Sequence, residues 1–139
     1  MLTPSRTRYR KPHRGRTRGK AYRGCDVLYG SYGLMALEPG WIKANHIESC
    51  RISITRRIKK FGKMWIRLFP DKPYTKKPAE TRQGKGKGNV EGFVAVVRPG
   101  TIMFEVHVTD NEALCREALT RAMHKLPVKC KIVEKLELK

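Results

Sequence analysis

Val-Glu-Gly-Phe-Val-Ala-Val-Val at residues 90–97, Arg-Pro-Gly at 98–100 and Thr-Ile-Met-Phe-Glu-Val-His-Val at 101–108 form the stretch that decides the fold. Two apolar runs rich in β-branched and aromatic side chains flank a proline–glycine turn signal. The short connection predicts that the runs pair as an antiparallel hairpin. Hairpin signals of this kind argue against regular β-α-β alternation, in which parallel strands need long crossovers.

Moving outward toward the N-terminus, residues 63–69 alternate as a strand, with Met64, Ile66 and Leu68 on one face and Trp65, Arg67 and Phe69 on the other. Trp65 and Phe69 read there as core side chains rather than a stacking platform. Pro70, Pro73 and Pro78 hold the next segment extended, with turns, through Lys72, Lys76 and Lys77. Residues 43–60 predict a helix, because Ala44, Ile47, Ile54 and Ile58 share a face around Cys50 and Arg51, and Gly62 follows as a stop. Residues 26–38 predict one or two strands with a bulge or bend, closed by a turn at Glu38-Pro39-Gly40.

Toward the C-terminus, residues 110–125 predict a second helix. Thr109 and Glu112 suggest a capping box, and Pro127 lies beyond the end. Leu114, Cys115, Ala118, Leu119, Ala122 and Leu126 supply its apolar face. Residues 128–132 alternate as a last strand before a short tail. The expectation is an α+β fold, two helices packed on a mostly antiparallel sheet, as one domain over residues 25–139. A basic extended arm over residues 1–24 precedes it.

The chain has 139 residues, enough for one core without disulfide support. Cys25, Cys50, Cys115 and Cys130 are far apart and form no C-x-x-C pair, so they read as small hydrophobes in a reducing compartment. No apolar run approaches the ~18 residues of a membrane span, and the start does not read as a secretory signal.

Charge is the dominant functional signal. Lys and Arg number 31 against 12 Asp and Glu, a formal charge of +19. Residues 1–90 carry +18 of it and residues 91–139 only +1. A polyanionic partner explains that asymmetry better than a solvated face of mixed sign. A membrane surface fits less well, because no basic segment has a strong apolar face opposite its charges.

Three groups of residues carry the charge. The arm holds Arg6, Arg8, Arg10, Lys11, His13, Arg14, Arg16, Arg18 and Lys20, with no acid before Asp26. It reads as a segment that orders on RNA, with a disordered tail and a transit peptide as competitors. The first helix and its exit carry Arg51, Arg56, Arg57, Lys59, Lys60 and Lys63, more cations than a helix C-terminus needs. The loop Arg82-Gln-Gly84-Lys85-Gly86-Lys87-Gly88 combines a backbone able to approach phosphate closely with flanking lysines. A flexible linker is its competing reading.

Catalytic and metal chemistry find no foothold. Gly-Lys-Gly-Lys-Gly lacks the Ser or Thr of a P-loop and the spacing of a dinucleotide fingerprint. His13, His46, His107 and His124 have no second ligand at metal spacing, and Ser31 lies in Gly-Ser-Tyr-Gly rather than in a nucleophile elbow. No cofactor, metal, small-molecule substrate or catalytic residue is expected.

The opening Met-Leu-x-Pro-x-Arg-Thr-x-x-Arg-Lys-x-His-Arg-Gly-Arg resembles the start of the L-sixteen family of bacterial-type large-subunit ribosomal proteins. Ile47-Glu48 with Thr55-Arg56, and Lys63-x-Trp65-Ile66-Arg67-x-Phe69-Pro70-Asp71-Lys72-Pro73, extend the resemblance. The run Lys77-Pro78-Ala79-Glu80-Thr81-Arg82-x-Gly84-Lys85-Gly86-Lys87-Gly88, then Pro99-Gly100 and Lys125-Leu126-Pro127-Val128-Lys129, complete it along nearly the whole chain. It implies a structural constituent of the large subunit that binds large-subunit rRNA near the aminoacyl-tRNA site. It also implies a loop at Arg82–Gly88 directed toward tRNA, neighbouring ribosomal proteins as partners, and no catalysis. Ala36-Leu37-Glu38-Pro39-x-Trp41-Ile42 resembles plastid members, so the chloroplast stroma is the expected location, with bacterial cytoplasm or mitochondrion as alternatives. The competing functions are a small RNA-processing or RNA-modifying enzyme and a free RNA chaperone.

Overall fold

The computed structural model describes residues 1–84 and 86–136. Seven strands and two helices follow the arm: β1 (Tyr32–Ala36), β2 (Gly40–Lys43), α1 (Ala44–Ile58), β3 (Gly62–Ile66), β4 (Lys72–Lys76), β5 (Asn89–Val97), β6 (Ile102–Val108), α2 (Glu112–Met123) and β7 (Cys130–Glu134). A single turn of 3-10 helix, Lys59–Phe61, joins α1 to β3. The class is α+β, with every strand pair antiparallel.

The strands divide into two sheets, in the order β3-β6-β1-β7 and β2-β5-β4. This corrects the expected hairpin, because β5 and β6 lie in different sheets. The turn between them does form, with the Thr101 N–H donating to the Arg98 carbonyl at 3.1 Å. Pro99 and Gly100, the latter at φ +98°, fit a type II turn, whose twist splays its flanking strands. β5 is already flanked by β2 and β4, and β6 by β3 and β1, so neither has a free edge for the other.

The crossing from β1 to β2 runs beside this turn. Ala36 donates to Thr101 and Gly100 donates to Ala36, at 2.9 and 2.8 Å. The end of the arm is stitched to the same place, Ala21 donating to Pro99 and Ile102 to Gly24.

One core lies between the sheets and the helices. Ile47, Cys50, Ile54 and Ile58 of α1 meet Leu114, Cys115, Ala118, Leu119 and Ala122 of α2, as the helical spacing predicts. Leu34, Phe104 and Val106 supply one sheet, and Ile42, Ala95 and Val97 the other. α1 touches β3 on one side and β2 and β5 on the other, so it spans the junction.

Three boundaries differ from expectation. β2 and β4 are strands where a turn and a proline-extended segment were expected. Pro73 sits within β4 because that strand is an edge, where a missing N–H costs little. The cap of α2 is Asn111, whose Oδ1 accepts the Leu114 N–H at 3.1 Å, not Thr109. Asp110, at φ +57°, turns the chain before the helix begins.

Candidate nucleic-acid interface

Short register arguments place the cations of the second sheet. Lys43 and Lys72 both pair with Val94, from opposite sides of β5, and Trp41 pairs with Val96. Period-two alternation then puts Trp41, Lys43, Lys72 and Tyr74 on one face, opposite Ile42, Ala95 and Val97 in the core. The arm reaches this face. The Arg14 guanidinium and the Lys72 ammonium lie 4.9 and 5.3 Å from the Trp41 ring centre, and Lys43 lies 5.4 Å from that of Tyr74. Such contacts are within cation–π range.

Two lysines hold the arm there by its backbone. Lys72 Nζ donates to the Arg14 carbonyl and Lys87 Nζ to the Pro12 carbonyl, both at 2.5 Å. Lys87 belongs to the glycine–lysine loop, so arm and loop meet over Trp41, around a small cavity of about 170 Å³. Lys77 donates to the Gly84 carbonyl at 2.5 Å and shapes the loop from its other end. Among the described residues, no arm or loop cation pairs with a carboxylate.

The expected site residues separate by environment. Arg6, Arg8, Arg10, His13, Arg14, Arg16, Arg18 and Lys20 of the arm are exposed, and Lys11 is half-buried. Arg82, Gly84, Gly86 and Lys87 are exposed in the loop, Gly88 is half-buried, and Lys85 lies outside the described residues. Arg56, Lys59, Lys60 and Lys63 are exposed around the exit of α1.

Arg51 and Arg57 have work inside the protein. Arg51 pairs with Glu48 at 2.5 Å, and Arg57 with Glu117 of α2 at 2.6 Å. These hydrogen bonds hold both carboxyls below the usual carboxylate range and raise both arginines. Sequence reasoning had placed the two beside the free cations. It missed Trp41, Lys72 and Tyr74, and it took Lys43 for a base of the first helix, because β2 and β4 were not recognised as strands.

Other chemistry finds no organised centre. His107 Nδ1 and Ser31 Oγ lie 3.2 Å apart, but Ser31 also donates to the Val106 carbonyl and no carboxylate bonds this histidine among the described residues. Burial pushes the Cys50 thiol up to about 12 and the Cys130 thiol to about 11, leaving both protonated and unreactive at neutral pH. Among the described residues, no group of three His, Cys, Asp or Glu could hold a metal, and no helix is long and apolar enough to cross a membrane.

Known proteins resemble this chain closely. The family model described as "Ribosomal protein L16p/L10e" matches residues 4–133. The chain is 60% identical to the large ribosomal subunit protein uL16 of Thermosipho melanesiensis, over 99% of this chain and 96% of that protein. It is 60% identical to the protein of the same name from Fervidobacterium nodosum, over 96% and 93% of the two chains. The identity to the Thermosipho africanus protein is 59%, over 99% and 96%. These relatives are bacterial, so the expected plastid origin has no support among them.

Proposed function

The chain belongs to the ribosomal protein L16p/L10e family, and from that premise we propose that its arm, helix exit and loop bind large-subunit rRNA, with the loop directed toward tRNA. Membership itself makes the chain a structural ribosomal protein of the large subunit, acting in translation and not as an enzyme. The finer reading adds where the RNA lies. Residues 1–24 act as an RNA-binding arm on a single domain of residues 25–139, among neighbouring large-subunit proteins. Bacterial cytoplasm fits the source of the relatives.

One observation carries this reading. Lys72 and Lys87 draw a cationic arm onto a cationic sheet face, and among the described residues none of these cations is paired with a carboxylate. Like charges gathered in this way repel until an anion arrives, and a phosphate chain neutralises several at once.

The test is the affinity of the full chain for a large-subunit rRNA fragment as salt is varied. Each phosphate neutralised contributes roughly 0.7–0.9 to the log–log slope, so replacing Lys72 and Lys87 by Ala is expected to lower that slope by about 1.5. An unchanged slope would overturn the reading. Large subunits carrying Lys87→Ala are expected to engage tRNA less well while the free protein keeps its melting temperature.

A further inference from the structure

A second aromatic surface stands away from Trp41. Before β1 the chain crosses the sheet at Gly33, where an added Cβ would lie 2.8 Å from Val27 Cγ2. That close passage brings Leu28 and Tyr29 over Glu105, a carboxylate with no exposed surface at the centre of β6. The Leu28 N–H donates to Glu105 Oε1 at 2.5 Å and the Tyr29 N–H at 3.2 Å. Arg67 Nε completes the cluster, 3.7 Å from Oε2, and its guanidinium also donates to the Asp26 carbonyl. A buried carboxylate is tolerated when it is bonded in this way. Its effect here is to fix the backbone beneath Tyr29.

The ring so fixed is not buried. Tyr29 is 61% exposed and stacks with Trp65, ring centres 6.3 Å apart and planes 25° apart. The Arg67 guanidinium lies 5.6 Å from the centre of the same ring. Arg51 and Thr55 of α1 form the far wall of an open concavity of about 520 Å³ beside the stack. Lys63, exposed, shares the β3 face of Trp65 by alternation, and Arg67 follows just past the end of the strand.

We propose that Tyr29 and Trp65, held by Glu105 and rimmed by Arg51, Lys63 and Arg67, form a stacking platform for an unpaired nucleotide of an RNA strand. Every nucleobase offers a π-face, and the exposed Lys63 meets a flanking phosphate while Arg51 and Arg67, already paired within the protein, keep the rim cationic. Apolar protein partners fit less well, because the concavity is rimmed by cations. The platform rests on the RNA-binding reading and adds to it a contact with bases.

The full chain tests it by its affinity for a short oligoadenylate and for an abasic oligomer of equal length at one salt concentration. Tyr29→Ala is expected to weaken oligoadenylate binding roughly 5- to 150-fold, the effect of losing one base–aromatic stack, and to leave abasic binding unchanged. Tyr29→Phe is expected to retain both affinities. Equal weakening of both oligomers by Tyr29→Ala, or of neither, overturns the platform while leaving the phosphate contacts standing. If neither oligomer binds the unmodified chain, the RNA-binding reading falls and takes the platform with it.

Discussion

Glu105 shows how much one residue can decide. The strand pattern around it is apolar, and its carboxylate is fully buried between Arg67 and two backbone N–H groups. Glu105→Ala would orphan all three at once, so a loss of about 3–5 kcal/mol is expected in urea unfolding. Glu105→Gln keeps an accepting oxygen and should lose less. A loss under ~1 kcal/mol for the alanine variant would mean that water reaches the vacated site. The acid was plain in the sequence as a strand residue, but its role was not. Its partners at Leu28 and Tyr29 lie 77 and 76 positions away, beyond the reach of periodicity. Trp65 suffered the same fate, since alternation could assign it a face but could not say that Tyr29 would lie open against it.

At the scale of elements, the apolar pattern succeeded where it runs unbroken and failed where a proline or an adjoining helix interrupts it. Both helices and the strands β3, β5, β6 and β7 were legible because each has a sustained apolar period. β2 has four residues and runs directly into α1, and β4 has five with a proline inside. Neither shows enough alternation to stand out, and with them went the Trp41 face. The helix cap gives a sharper case. Thr109 and Glu112 have the spacing of a capping box, yet the left-handed Asp110 delays the helix until Asn111 can cap it. Asn111→Ala is therefore expected to cost about 1 kcal/mol, and Thr109→Ala less than about 0.5. Equal losses for the two in thermal unfolding would contradict the observed cap. The proline–glycine turn teaches a similar lesson, because it formed as read while its strands went to different sheets. A turn sets a local direction, and the competition for strand edges decides the pairing.

For the whole molecule the dominant quantity is charge. A free chain at +19 repels itself, and salt screens that repulsion. A tenfold rise in salt is therefore expected to raise the melting temperature by a few degrees, on the order of 1 kcal/mol. Removal of residues 1–20, which carry eight Lys and Arg, should shrink that response. A melting temperature that fell with salt would show that internal pairs such as Arg57–Glu117 outweigh the repulsion. The charge split was legible from composition alone, because counting needs no fold. Where the arm lies was not, since two lysine-to-carbonyl bonds hold it there and no sequence pattern announces them. The two-sheet division has its own consequence. Among the described residues it leaves β3 and β7 outermost in one sheet and β2 and β4 outermost in the other. Lys63, Lys131, Lys43, Lys72 and Lys76 lie on those strands, so copies of the chain meet charge against charge wherever strands could join. The lysines that suit a polyanion thus also guard the unassembled protein against aggregation by edge-to-edge pairing.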